Sequence, residues 1–156
     1  MKHAVCAILA AVSLAAAPPN PVAWKLAEAP AKPVKRGARF TVKLTANIQA
    51  GWHIYSMKPI EDGPLPTRIW IAEGQPFQLT GPIKGDEPQT MQDPTLHMDV
   101  ELYEGAAAFS LPLKVAAGTA PGVQNLVVNV QAQSCNNSIC LPPATVKVEV
   151  PVTVAR

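Results

Sequence analysis

An antiparallel β-sandwich of immunoglobulin-like type is the fold this sequence predicts, on three observations. Several long segments alternate apolar and polar residues with a period of two, the signature of a strand with one face on a core. Turn-forming Gly, Pro, Asn and Asp recur between those segments at short intervals. Seventeen prolines in 156 residues leave little room for long helices.

In chain order, the first short strand is expected at Val22–Leu26. A longer one follows in which Phe40, Val42, Leu44, Ala46 and Ile48 alternate with Thr41, Lys43, Thr45 and Asn47. Shorter candidates are Trp52–Ser56, Thr67–Ala72 and Phe77–Thr80. Leu96, Met98, Val100 and Leu102 then alternate with His97, Asp99, Glu101 and Tyr103. Two further apolar sets are Ala107, Phe109, Leu111, Leu113, Val115 and Leu126, Val128, Val130, Ala132. In the last segment Val146, Val148, Val150, Val152 and Val154 share one face, and Pro151 on the other suits an edge strand because it lacks a ladder donor. The expectation is eight or nine strands, with two long loops at residues 57–66 and 81–95, the second exposed and mobile.

A formal charge of +2 offers no broad basic surface for nucleic acid. Met1-Lys2-His3, an apolar run from Ala4 to Ala17 and the small residues Ala15-Ala16-Ala17 form the three-part pattern of a secretory signal, expected to occupy residues 1–17. That run is shorter than the roughly 20 residues a membrane-spanning helix needs. The expected mature domain, residues 18–156, therefore has no stable membrane insertion, and it keeps two of the three cysteines, Cys135 and Cys140. One thiol pair in an exported chain is expected to form a disulfide.

The pair sits in Gln133-Ser134-Cys135-Asn136-Asn137-Ser138-Ile139-Cys140-Leu141-Pro142-Pro143, where Asn136-Asn137-Ser138 is turn chemistry. A bridge across so short a loop stabilises by only about 2 kcal/mol, against about 4 for one closing some sixty residues. By strand parity Cys135 shares the face of Asn129, Gln131 and Gln133, away from the core, unless a bulge intervenes. A local, outward, weakly stabilising bridge suits thiol–disulfide exchange, yet spacing alone leaves exchange and a passive staple both open. In Trp52–Ser56, Trp52 and Ile54 continue the core face while His53 and Tyr55 share the other. An imidazole and a phenol near the sulfurs would support a departing thiolate. On pattern alone exposed strand residues are the plainer reading. No Lys or Arg flanks either cysteine.

The segments "GWHIYS", "VELYEGAAAFSLPL" and "VQAQSCNNSICLPP" together resemble the N-terminal periplasmic domain family of the thiol:disulfide interchange protein DsbD. The resemblance covers essentially the whole mature chain and is most specific at the cysteine turn followed by Leu-Pro-Pro. It implies an immunoglobulin-like domain in the periplasm whose cysteine pair, with no cofactor, relays reducing equivalents. The donor and acceptor would be thioredoxin-fold proteins, and the activity that of a protein-disulfide reductase relay. It implies that Cys135 and Cys140 carry the exchange with His53 and Tyr55 in support, in a monomer. The family's better-known member shields its disulfide with a cap loop holding an acidic pair and an aromatic residue. The stretch from Gly85 to Met98 has Asp86-Glu87 and Asp93 but no aromatic, which leaves Met91, Leu96 and Met98 as candidate shields. The cysteine spacing is also one residue shorter.

Rival readings are a non-catalytic immunoglobulin-like binding module with a structural hairpin disulfide, and a zinc site from Cys135, Cys140, His53 and His97, whose spacing is loose for a metal. Copper handling is weaker still, because Met57, Met91 and Met98 are scattered. No serine sits in a nucleophile-elbow context.

Overall fold

The structure is a computed structural model that describes residues 20–94 and 96–156; the expected export signal lies outside the described residues. Twelve strands follow in order: β1 (Val22–Glu28), β2 (Arg39–Ile48), β3 (His53–Tyr55), β4 (Arg68–Ile71), β5 (Phe77–Leu79), β6 (Lys84–Gly85), β7 (Gln89–Asp93), β8 (Met98–Glu104), β9 (Ala106–Val115), β10 (Gly122–Ala132), β11 (Ser134–Cys135) and β12 (Ala144–Val154). No helix occurs among the described residues. All ladders between these strands are antiparallel.

They form three sheets: β1-β2-β9-β5 with β6 also on β9; β12-β10-β4; and a small one, β11-β3-β8-β7. The first two make the sandwich. Their alternating strands bring Val42, Leu44, Leu111 and Leu113 from one side against Leu126, Val128, Val130 and Val150 from the other, all fully buried. The small sheet closes one end of this sandwich. Ile54 and Tyr103 on one of its faces join Ala46, Ile48, Ala107, Phe109 and Ala132 in a second core. The immunoglobulin-like sandwich read from the period-two patterns is the fold that forms.

Both strand prolines sit at the margin of a ladder, where a missing N–H is least costly. Pro151 lies on β12, an edge strand. Pro112 lies mid-β9, but its carbonyl accepts Thr80 N–H just past β5, so its nitrogen side faces the gap between β5 and β6.

Residues 81–95 differ from the expectation of one exposed loop. They contain β6 and β7, paired with β9 and β8. Their composition hid them: Pro82, Pro88 and three acids read as turn material, whereas the partner strands supply the ladders. Leu96 and His97 leave the expected strand for the turn before β8, His97 having φ +54°. The loop at 57–66 contains no strand, as expected.

Candidate redox site

The chain crosses from the sandwich to the small sheet at one residue. β10 pairs with β12 as far as Ala132↔Ala144, Gln133 is unpaired, and β11 then pairs with β3 as Ser134↔Ile54 and Cys135↔His53. Because the two-residue period persists, Ser134 stays on the core side with Ile54, and Cys135 turns to the far face. The parity argument therefore holds for direction. It fails for exposure: Cys135 is 1% exposed.

The far face is covered as well. Directly opposite residues share a face, so the registers place Cys135, His53, Glu104, Tyr55, Leu102, Val100, Met98 and Asp93 on it. Tyr55, Val100, Leu102 and Cys135 form a third buried cluster, against which Ile60 and Met98 pack. His53 and Tyr55 are buried, at 5% and 2% exposure, which corrects the plainer reading that they are exposed strand residues. A single strand of sequence could not show that β8 and the Ile60 loop close over them.

Ile60 escaped the sequence reading, because Met57 and Leu65 share its loop and nothing local marks which of the three packs on the cluster around Cys135. It is set by a tight turn in which Gly63 N–H donates to Ile60 O at 3.0 Å and Asp62 adopts φ +53°. A Cβ at Gly63 would meet Ile60 Cβ at 2.7 Å, so the close approach requires glycine. The loop's base is tied to β8, Ser56 Oγ donating to Glu101 at 3.2 Å and Lys58 Nζ lying 2.7 Å from the same carboxylate. The lysine hydrogen bond, above all, holds Glu101 below the usual carboxylate range. Of the other candidate shields, Met98 packs on the cluster, whereas Met91 and Leu96 lie at the surface.

Tyr55 Oη donates to Asp93 Oδ2 at 2.8 Å, and His53 Nε2 stands 3.5 Å from the phenol and 3.9 Å from the carboxylate. Asp93 Oδ1 accepts Leu96 N–H at 3.0 Å, which fixes the turn into β8. Burial dominates the histidine and lowers its pKa, against the pull of Asp93 and Glu104, so the imidazole is neutral at pH 7. Burial, then the bond to Asp93, raises the Tyr55 pKa and keeps the phenol protonated. The trio is thus a neutral imidazole and a neutral phenol beside a carboxylate. Asp93 stood out in the sequence only as one acid of the cap stretch, not as a site residue, because nothing local tells a buried acid from the exposed Asp86 and Glu87.

Cys135 and Cys140 are joined in a disulfide with Cα atoms 4.1 Å apart. The turn forms as its composition predicts: Asn136 Oδ1 accepts the N–H groups of Ser138 and Ile139 at 2.8 and 2.9 Å. Asn136 N–H donates to Ile139 O, and Leu141 N–H to Ser134 O. Cys140, at the surface, is exposed. The bridge thus joins one buried cysteine to one exposed cysteine.

Among the described residues no group of three or more His, Cys, Asp or Glu is placed to hold a metal ion, and His97 lies exposed on its turn. No helix among them is long and apolar enough to cross a membrane.

The comparisons agree with this architecture. A family model described as "Thiol:disulfide interchange protein DsbD, N-terminal" matches residues 24–151. The fold is similar to that of the reduced N-terminal domain of DsbD from Neisseria meningitidis: TM-score 0.56, 14% identity, 85% of this chain and 86% of that one covered. It is also similar to the N-terminal periplasmic domain of ScsB from Proteus mirabilis, at TM-score 0.51 and 14% identity over 74% of this chain and 42% of that one. No curated protein matches the sequence. With the family model spanning every strand from within β1 into β12, the chain belongs to the DsbD N-terminal domain family, whose role is thiol–disulfide interchange.

Proposed function

We propose that this chain is an exported, periplasmic exchange domain that relays reducing equivalents between two thioredoxin-fold proteins through Cys135 and Cys140, with no cofactor. The observation that carries the reading is the asymmetry of the disulfide, one cysteine exposed and the other buried opposite His53.

In the oxidised domain the thiolate of a reduced donor attacks Sγ of Cys140, the reachable end. The Cys135–Cys140 bond breaks, a donor–Cys140 mixed disulfide forms, and Cys135 leaves with the electron pair. A thiolate there would be desolvated in a buried cluster, which disfavours it, so Cys135 takes up a proton as it leaves. His53, directly across the ladder, and the Tyr55–Asp93 pair behind it are the groups placed to support that transfer. The donor's second thiol then resolves the mixed disulfide, leaving two thiols here and a disulfide there. Toward an acceptor the steps reverse: Cys140 attacks, Cys135 resolves, and two electrons and two protons move on. Ile60 and Met98 pack on the cluster that holds Cys135 and serve as its shield, where the better-known member uses an aromatic cap.

A Cys135→Ser variant, which keeps Cys140, is expected to trap a mixed disulfide with a thioredoxin-fold partner from periplasmic extract, seen by non-reducing electrophoresis and mass spectrometry. Cys140→Ser should trap none, and each variant should lose turnover while remaining folded. No adduct from either variant, together with a reduction potential below about −300 mV, would instead mark the bridge as a structural staple.

A further inference from the structure

Charge is sorted between the two ends of the molecule. β2 runs from Arg39 to Ile48 toward the small sheet; β9 runs back from Ala106 to Val115, so Asn47↔Ala106 lies at the redox end and Arg39↔Lys114 at the opposite one. Eight of the eleven acidic residues fall in the small sheet and the segments flanking it, 57–66 and 84–104, against Lys58 and Lys84 there and the exposed Arg68 at the start of β4, opposite Gln131. Lys58 is engaged by Glu101. Glu61, Glu87, Asp99 and Glu104 are all exposed there. The cysteine turn, 133–143, carries no charge. Ile139 on that turn, beside Cys140, is 52% exposed, and Leu96, on the separate turn between β7 and β8, is 37% exposed. At the far end Lys35, Arg36, Arg39, Lys114 and Arg156 gather where β2 begins and β9 and β12 end.

We infer that the redox end is a docking surface for a thioredoxin-fold protein whose face around its own reactive cysteine is basic with an apolar centre. The inference rests on the exchange reading and adds the chemistry of the partner. Any protein thiol that reaches Cys140 must approach Ile139 beside it and the same end of the molecule that carries the acidic rim, where Glu104 lies across β3 from Cys135. Complementary charge raises the encounter rate there, and the opposite sign at the far pole turns this end toward an approaching cationic face. The apolar centre supplies the area that is desolvated on docking.

The test uses the whole domain and two versions of one thioredoxin, one with lysines added around its reactive cysteine and one with glutamates at the same positions. At an ionic strength near 20 mM the lysine version is expected to reduce the Cys135–Cys140 disulfide at least about tenfold faster. At 0.5 M, where screening is nearly complete, the two rates should converge to within about twofold. Glu61→Lys with Glu87→Lys should erase or reverse the low-salt preference. The matched pair at the far pole, Lys35→Glu with Arg36→Glu, should leave it within about twofold at 0.1 M. The ten residues of β2 separate the poles by about 30 Å, some three times the screening length. Equal rates at low salt, or a far-pole effect as large as the near-pole one, would overturn the inference and leave the exchange reading standing. Reduction by neither thioredoxin at any salt would overturn both.

Discussion

Three polar side chains and one buried sulfur decide the chemistry of the far face of the small sheet. Tyr55→Phe removes the donor that Asp93 Oδ2 accepts at 2.8 Å in a buried setting. The expected cost is about 1–3 kcal/mol of stability, read from the urea midpoint, with slower exchange against any thioredoxin. His53 gives a pH signature. Its folded pKa lies below 6.5, so the unfolded chain binds the proton first as pH falls. Its contribution is therefore fully present above about 6.5 and is lost as pH drops from there toward the folded value, with a slope of at most about 1.4 kcal/mol per pH unit. Urea titrations between pH 7.5 and 5 should show this slope in the parent and a flatter one in His53→Gln; parallel curves would mean that the imidazole protonates freely in the folded state.

The elements show how much of the site could be read beforehand. Period-two patterning located the long strands β2, β9, β10 and β12, and strand parity assigned the correct faces to Ile54, His53, Tyr55 and Cys135, because the alternation survives the crossing at Gln133. Whether a face is covered depends on partners distant in sequence. β7 (Gln89–Asp93) has no apolar alternation of its own, and its pairing with β8 is what carries Asp93 to Tyr55. The Ile60 turn was equally silent, since its shape comes from Gly63 pressing on Ile60. Gly63→Ala should displace Ile60 and uncover Cys135. Reduction by a small neutral thiol is then expected to quicken severalfold, with Ile60→Ala giving the same change. A glycine variant that unfolds while Ile60→Ala leaves the rate unaltered would assign the loop a purely structural part.

For the molecule as a whole, stability resides in the sandwich, whose main cluster contains fourteen buried residues against four in the cluster around Cys135. The disulfide closes a loop with a sequence separation of 5 and adds only about 2 kcal/mol by chain entropy. The dithiol form should therefore keep the same fold, with a melting temperature lower by less than about 10 °C. Calorimetry with and without a phosphine reductant checks this, and unfolding on reduction would contradict an exchange role. Such insensitivity is what a carrier needs, since it must present similar surfaces before and after giving up its electrons.

The lone unpaired residue between β10 and β11 has a bearing on how chains of this kind can change in length. Inserting or deleting one residue between Ala132 and Cys135 would rotate the pair, sending Cys135 toward Ile54 and presenting Ser134 beside His53. At the tip beyond Cys135 residues 137–139 are exposed and their hydrogen bonds go to Asn136, so an added residue there would leave the buried sulfur in place. Relatives are thus free to drift in the span between their two cysteines, but held to a fixed count in the short stretch before the first.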